Sequence, residues 1–110
     1  MKKMTKEEAL NIVRDLHAEL DRVYGDRLKG VYLYGSYARG DARWDSDIDV
    51  AVVLAGEVKR GDEINRTGDL ISDICLREDC IILAMFISEE ELRERPYALF
   101  RNIAAEGIPA

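Results

Sequence analysis

The sequence has few of the residue types that build metal centres and disulfide frameworks. Its 110 residues include one histidine and two cysteines, and no spacing around them is typical of zinc ligands. The apolar neighbours of Cys75 and Cys80 indicate reduced, buried thiols. The histidine, His17, has no triad or metal partner, so we expect it to have a structural role.

Long apolar runs are also absent, and none approaches the ~20 residues that a membrane-spanning helix needs. No apolar segment follows the basic start of the chain, residues 1–8, so a secretory signal is not expected there. We therefore expect a cytoplasmic protein. The length predicts one domain over residues 1–110, with little room for a separate substrate domain.

An excess of positive charge is missing as well. With 22 acidic and 16 basic side chains, the formal net charge is −6 at pH 7. Proteins that bind long nucleic acids are usually basic, so we expect no direct nucleic-acid partner. The charge is compatible with a small metal–nucleotide complex or with a basic partner surface, and it does not choose between them.

Hydrophobic periodicity predicts four helices. A brief helical turn is predicted in addition, after Gly35-Ser36. The first helix begins after Thr5, whose spacing to Glu8 is typical of a capping box. Others are predicted from Asp62, after Ser88 and from Pro96. The residues predicted on their apolar faces are Ile64, Thr67, Ile71, Ile74 and Cys75 in the helix from Asp62, and Tyr97, Phe100, Ile103 and Ala104 in the last.

Three strands are predicted between these helices. They cover residues 28–34, residues 47 to about 55, and residues 79–87. The third is a nearly continuous apolar run, which is typical of a strand covered on both faces. The alternation predicts an α/β (α+β) fold, a small mixed sheet of three or more strands flanked by helices.

Two short motifs carry the chemistry. Gly35-Ser36 follows the first strand, and Asp47-Ile48-Asp49 opens the second. Alternation places Asp47 and Asp49 on one side of the strand, where two carboxylates repel unless a cation lies between them. Oxygen ligands suit Mg²⁺, while the backbone N–H groups and hydroxyl of Gly35-Ser36 suit a phosphate. Together the motifs favour a nucleoside triphosphate site.

With ten residues between Ser36 and Asp47, the pattern resembles that of the DNA polymerase β-like nucleotidyltransferase superfamily. The segments 37–41, 45–46 and 102–109 are similar to its minimal nucleotidyltransferase (MNT) branch, and the resemblance covers essentially the whole chain. The resemblance implies the nucleotidyltransferase fold. It also implies two Mg²⁺ ions and ATP as the substrate.

In that family, two strand carboxylates bind magnesium, and a third carboxylate on a later strand helps to bind a second ion and to activate the acceptor hydroxyl. The resemblance implies the first role for Asp47 and Asp49. It implies the third role for Asp79, with Glu78 as the alternative, although Asp79 could also be a polar strand-start or helix-end residue. Gly35 would then let the backbone approach the phosphates.

Arginines close to the two motifs are the candidates for binding the triphosphate, together with the Ser36 hydroxyl. Arg39 lies one turn beyond Gly35-Ser36, from where its guanidinium could reach the phosphates, and Arg43 is a weaker candidate. The alternative for Arg39 is an exposed surface charge. Trp44 could stack on a base or a partner, but we expect it to fold back on its own domain.

MNT proteins resemble the antitoxins of two-gene modules whose toxin is a HEPN-domain ribonuclease. The resemblance therefore implies Mg²⁺-dependent transfer of AMP from ATP to a tyrosine of a HEPN toxin. Two alternatives stay open. The chain could neutralise the toxin by direct binding without catalysis, or it could be a nucleotidyltransferase that acts on a small molecule.

Overall fold

The structure, a computed structural model, describes residues 4–110, so residues 1–3 of the basic start lie outside it. Within that range, one mixed sheet has the strands β1 (Leu28–Tyr34), β2 (Ile48–Leu54), β3 (Ile82–Ser88) and β4 (Ile108–Pro109). The strand order across the sheet is β3-β2-β1-β4. β1 is antiparallel to β2 and β4, whereas β2 and β3 are parallel. The mixed α/β fold is confirmed, and the short β4 adds a strand to the three predicted.

Helices flank the sheet: α1 (Lys6–Tyr24), α2 (Ser36–Arg39), α3 (Arg60–Glu78), α4 (Glu89–Glu94) and α5 (Ala98–Glu106). Thr5 caps α1 and Ser88 caps α4, each in the capping box that the sequence predicted. α3 begins two residues before the predicted Asp62. Tyr97 is the extended N-cap of α5, so Pro96 precedes this helix and does not open it. No helix within residues 4–110 is long and apolar enough to cross a membrane.

Alternation along the strands produces a hydrophobic cluster on each face of the sheet. On one face, β2 packs against α1 and α3 through its buried side chains, which are Ile48, Val50, Val52 and Leu54. On the other face, Ala51 and Val53 pack with Phe100 and Ile103 of α5. By the same alternation Asp49 lies on the α5 face, at the end of β2 where the strand begins.

The prediction of a third strand covered on both faces is wrong, because Leu83 of the edge strand β3 is 49% exposed. Ile81, directly before this strand, is 44% exposed. Asp79, predicted to open this strand, instead caps α3 with a left-handed backbone (φ 51°), because α3 runs on to residue 78. Ile64 of α3, predicted to face the core, is 54% exposed and lines an open groove with Leu83.

The C-terminal residues join α1 to β1. Ile108 pairs with Leu33 of β1, and the Ala110 N–H donates to the Val31 carbonyl at 3.0 Å. The Ala110 carbonyl oxygen lies 2.6 Å from Nδ1 of His17, which gives this histidine a structural contact. These contacts fix the end of α5 beside β1.

Candidate active site

The predicted motifs meet at one end of the β1–β2 pair. Tyr34, the last residue of β1, pairs directly with Asp49 of β2. The chain leaves β1 through Gly35 and enters α2 at Ser36 without an intervening loop. The antiparallel register therefore brings the Gly35-Ser36 turn against the segment that carries Asp47 and Asp49.

The carboxylate of Asp49 lies against the α-carbon of Gly35. A Cβ added to Gly35 would be 2.2 Å from Oδ2 of Asp49, which is far inside van der Waals contact. Gly35 also has a φ of 75° as the N-cap of α2, a conformation that other residues rarely adopt. Sequence reasoning assigned the missing side chain to phosphate approach, but in the structure Asp49 occupies that space.

Negative charge is concentrated around Asp49. Burial raises the pKa of Asp49 above its ordinary value, and the neighbouring charge of Asp47 raises it further. The charge of Arg39 lowers this pKa and that of Glu106 raises it. The charges of Asp47 and Asp49 therefore repel one another, and a cation bound beside them would relieve that repulsion.

Arg39 joins α2 to the end of α5. Its Nη1 donates to Oε2 of Glu106 at 3.1 Å, and its Nε donates to Oδ2 of Asp41 at 3.2 Å. The Arg39 side chain is 49% exposed, whereas that of Glu106 is 21% exposed. Sequence reasoning gave Glu106 no role, and the only signal was its place in the closing segment 102–109 that carried the family resemblance.

Asp79 and Glu78, the residues predicted for the third carboxylate, lie at the end of α3 before β3 begins. The β3 residue in register with Asp49 is Leu83, an exposed apolar side chain. Within residues 4–110 no group of three or more His, Cys, Asp or Glu side chains is placed to hold a metal ion. The role of Asp79 thus stays a prediction.

The Asp47–Asp49 pair alone fits a magnesium ion that is shared with a nucleotide. Mg²⁺ is commonly held by one or two carboxylates, with phosphate oxygens and water completing its shell. The pair supplies only oxygen donors, and the pKa of Asp49 is raised first by burial and then by the negative charge of Asp47 beside it. These residues match the chemistry of one ion, and they do not offer a third acidic ligand for a second.

In the loop between α2 and β2, the exposure of one residue differs from the prediction. Trp44 is 60% exposed, so the prediction that it folds back on the domain is wrong. Arg43 is exposed, and its backbone N–H donates to Oγ of Ser46 at 2.7 Å. The Ser36 hydroxyl is half-buried and makes no hydrogen bond with any residue of the range 4–110.

Comparisons with known proteins identify relatives of this chain. Residues 7–105 match the family described as "Nucleotidyltransferase domain". A protein of Methanocaldococcus jannaschii named "Putative protein adenylyltransferase" is 32% identical over 105 residues, which covers 94% of this chain and 96% of that protein. The match therefore extends over nearly the full length of both chains.

Solved structures share the fold. One, described as a "putative nucleotidyltransferase" of Sulfolobus solfataricus, superposes with a TM-score of 0.67 at 22% identity, covering 98% of this chain and 87% of that one. Another is a chain from the Shewanella oneidensis complex of a tri-AMPylated HEPN toxin with an MNT antitoxin. Its TM-score is 0.55 at 18% identity, covering 92% of this chain and 70% of that one.

Proposed function

Because this chain belongs to the nucleotidyltransferase domain family, we propose that it transfers AMP from ATP to a hydroxyl group of a partner protein. The observation that carries this proposal is the Asp47–Asp49 pair set against the Gly35-Ser36 turn. The name of the M. jannaschii relative, a protein adenylyltransferase, supports a protein as the acceptor.

The reaction exchanges one phosphorus–oxygen bond for another. The acceptor oxygen bonds to the α-phosphorus of ATP, and the bond from that phosphorus to the oxygen bridging to the β-phosphate breaks. Pyrophosphate leaves with the electron pair of that bond, and the acceptor hydroxyl loses its proton to a base. The products are the AMP-modified acceptor and pyrophosphate.

Each site residue has a part in this reaction. Asp47 and Asp49 would hold Mg²⁺ against the triphosphate, where the ion would supply positive charge to the α-phosphate and the leaving pyrophosphate. The Ser36 hydroxyl and the backbone N–H groups of the Gly35-Ser36 turn donate hydrogen bonds to phosphate oxygens. Arg39 offers a planar fork of donors to the same oxygens. A second Mg²⁺, with Asp79 or Glu78 as a ligand, stays a prediction.

As the partner we propose a HEPN-domain toxin, with a tyrosine hydroxyl as the acceptor, which makes this chain the antitoxin. The similarity to a chain from a HEPN toxin–MNT antitoxin complex supports this choice. The surface beside the site supports a protein acceptor, because it exposes two apolar side chains. Leu83 is exposed next to Asp49, and Ile81 is exposed two residues before Leu83. Exposed apolar side chains of this kind are typical of protein contact surfaces.

The experiment is intact-mass measurement of a candidate HEPN-domain partner protein, after incubation with this chain, ATP and Mg²⁺. We expect a gain of one or more AMP units, which Asp47→Asn abolishes. Asp73→Asn, which neutralises an exposed carboxylate on α3, serves as the matched control and should leave the gain intact. A mass gain that survives Asp47→Asn would contradict the assignment of the site.

A second candidate function is neutralisation by binding alone. It is favoured by two observations: residues 4–110 contain no cluster of three acidic ligands, and Leu83 lies beside Asp49. In that case the same incubation gives a stable complex and a silenced toxin without any mass gain. Asp47→Asn and Asp49→Asn would then leave neutralisation unchanged.

A further inference from the structure

Glu106 is held in a fixed position at the edge of the candidate site. It ends α5, and the next residue, Gly107, donates its N–H to the Ile103 carbonyl at 2.8 Å. Gly107 has no room for a side chain, since an added Cβ would be 2.5 Å from that same oxygen. Ile108 then pairs with Leu33 of β1. The backbone on both sides of Glu106 is therefore fixed by hydrogen bonds to α5 and to the sheet.

Arg39 is bound on two of its three nitrogens. Nη1 donates to Glu106 and Nε donates to Asp41, and the side chain of Asp41 is 62% exposed while that of Glu106 is 21% exposed. The Nη2 group makes no hydrogen bond with any residue in the described range 4–110. Since the guanidinium is rigid and planar, the two bonds fix the direction of this remaining donor edge.

The presence of a carboxylate here needs an explanation. Glu106 lies close enough to Asp49 for its charge to act on that residue, and a triphosphate bound at the Asp47–Asp49 pair would bring more negative charge. Considered alone, Glu106 should therefore repel the nucleotide. A glutamate at this point is useful only if it acts through a cation, and Arg39 is the cation that it contacts.

We propose that Glu106 is a positioning residue, which holds the Arg39 guanidinium so that its remaining donor edge faces the triphosphate. The proposal rests on the proposed function, because it assumes that a triphosphate binds at this site. Arginine loses rotamer freedom when it is immobilised. If Glu106 already orders Arg39 in the nucleotide-free protein, the entropy cost of immobilising this side chain does not weaken nucleotide binding.

The test is a double-mutant cycle on the Kd of Mg²⁺–ATP, measured by calorimetry for the wild type, Glu106→Gln, Arg39→Ala and the double variant. We expect Glu106→Gln to weaken binding roughly three- to tenfold, in line with the cost of ordering one long side chain. In the Arg39→Ala background the same change should not weaken binding further. Tighter or unchanged binding in Glu106→Gln, or equal weakening in both backgrounds, would overturn the proposal.

The control is Glu94→Gln, which removes a carboxylate from the exposed end of α4 and should leave the Kd unchanged. Thermal unfolding checks that all variants are folded. A second measurement needs no nucleotide, namely NMR hydrogen exchange of the Arg39 Nη1–H groups, which donate to Glu106 and which we expect to exchange faster in Glu106→Gln than in the wild type. If the wild type does not bind Mg²⁺–ATP, the proposed function fails. The exchange rates then decide the positioning role, and equal rates would overturn it.

Discussion

The two ends of the β1–β2 pair shift the pKa of a carboxyl group in opposite directions. At the end away from the site, Glu63 is 3% exposed, accepts a hydrogen bond from Tyr24 at 2.8 Å and pairs with Arg27 at 2.9 Å. Burial alone would raise the pKa of Glu63, but these hydrogen bonds and nearby cations lower it. At the site end, burial and the charge of Asp47 raise the pKa of Asp49.

The difference separates a stabilising end from a functional one. At the Glu63 end, the protein itself supplies partners for the charged groups. Arg27, which pairs with Glu63, also donates to the carbonyls of Ala55 and Glu57 just after β2. The Asp49 end has an excess of negative charge that Arg39 only partly offsets. Sites that are unfavourable without a ligand are typical of binding and catalytic residues. Substitutions at the two ends should therefore change different properties.

The largest effect is expected for Asp49→Asn. Asp49 is one of the two carboxylates proposed to hold Mg²⁺, and loss of such a ligand would remove several kcal/mol of transition-state stabilisation, so AMP transfer should fall on the order of a thousandfold. The free energy of unfolding should stay the same or rise slightly, because the substitution removes a desolvated and repelled charge. Single-turnover transfer assays and urea unfolding test the two statements, and a large loss of stability would contradict the second.

Arg27→Met should show the reverse pattern. It leaves the buried Glu63 without its main cation, and breaking a buried pair from one side costs about 3–5 kcal/mol. The rate of transfer per folded molecule should not change. Urea unfolding measures the loss of stability, and transfer assayed at a temperature where the variant is folded tests the separation of the two ends. A matched control is Arg14→Met, on an exposed pair of α1.

Gly35→Ala tests the contact that joins the two motifs. Gly40 is the matched control, since it also has a positive φ (84°), but an added Cβ there meets nothing within 4 Å. We expect Gly40→Ala to cost about 1 kcal/mol of stability and Gly35→Ala about 2–3 kcal/mol, because only Gly35 lies against Asp49. In an Asp49→Ala background the excess should disappear. Equal costs in the wild-type background would show that Asp49 does not approach Gly35.

The smallest effect is in the pH dependence, and it has opposite signs at the two ends. The lowered pKa of Glu63 gives stability that is present above its unfolded pKa and is lost as pH falls through its folded pKa. The raised pKa of Asp49 gives a penalty at neutral pH that is relieved as pH falls through its folded pKa.

Unfolding of Glu63→Gln and Asp49→Asn from about pH 7 to about pH 4 measures these contributions. Relative to the wild type, the destabilisation by Glu63→Gln should shrink toward low pH. Any stabilisation by Asp49→Asn should shrink in the same direction. Differences from the wild type that do not vary with pH would contradict the account of both carboxylates.

Sequence patterns predicted the parts of the fold that depend on neighbours in the chain. The capping boxes at Thr5 and Ser88 need only residues three positions apart, and both are present. The expectation that Asp47 and Asp49 share a side follows from the period of a strand, and their charges interact. The register of β1 with β2, in which Tyr34 pairs with Asp49, then brings Gly35 to Asp49.

Features that depend on distant parts of the chain could not be predicted in this way. The edge position of β3 follows from parallel pairing after the long helix α3, and apolar composition alone does not indicate which strand lies outside. The end of α3 at Asp79 lacks the glycine that usually marks a left-handed cap. The approach of Glu106 to Arg39 depends on β4, whose two residues are too few to give a periodic signal.

The central claim is that the Asp49 end of the sheet binds a metal–nucleotide complex. The most direct test is calorimetric titration of ATP into the wild type and Asp47→Asn, with and without Mg²⁺. The account predicts saturable binding by the wild type that requires Mg²⁺, and loss of that binding in Asp47→Asn with its unfolding unchanged. Binding that does not need Mg²⁺, or that Asp47→Asn leaves intact, would contradict it.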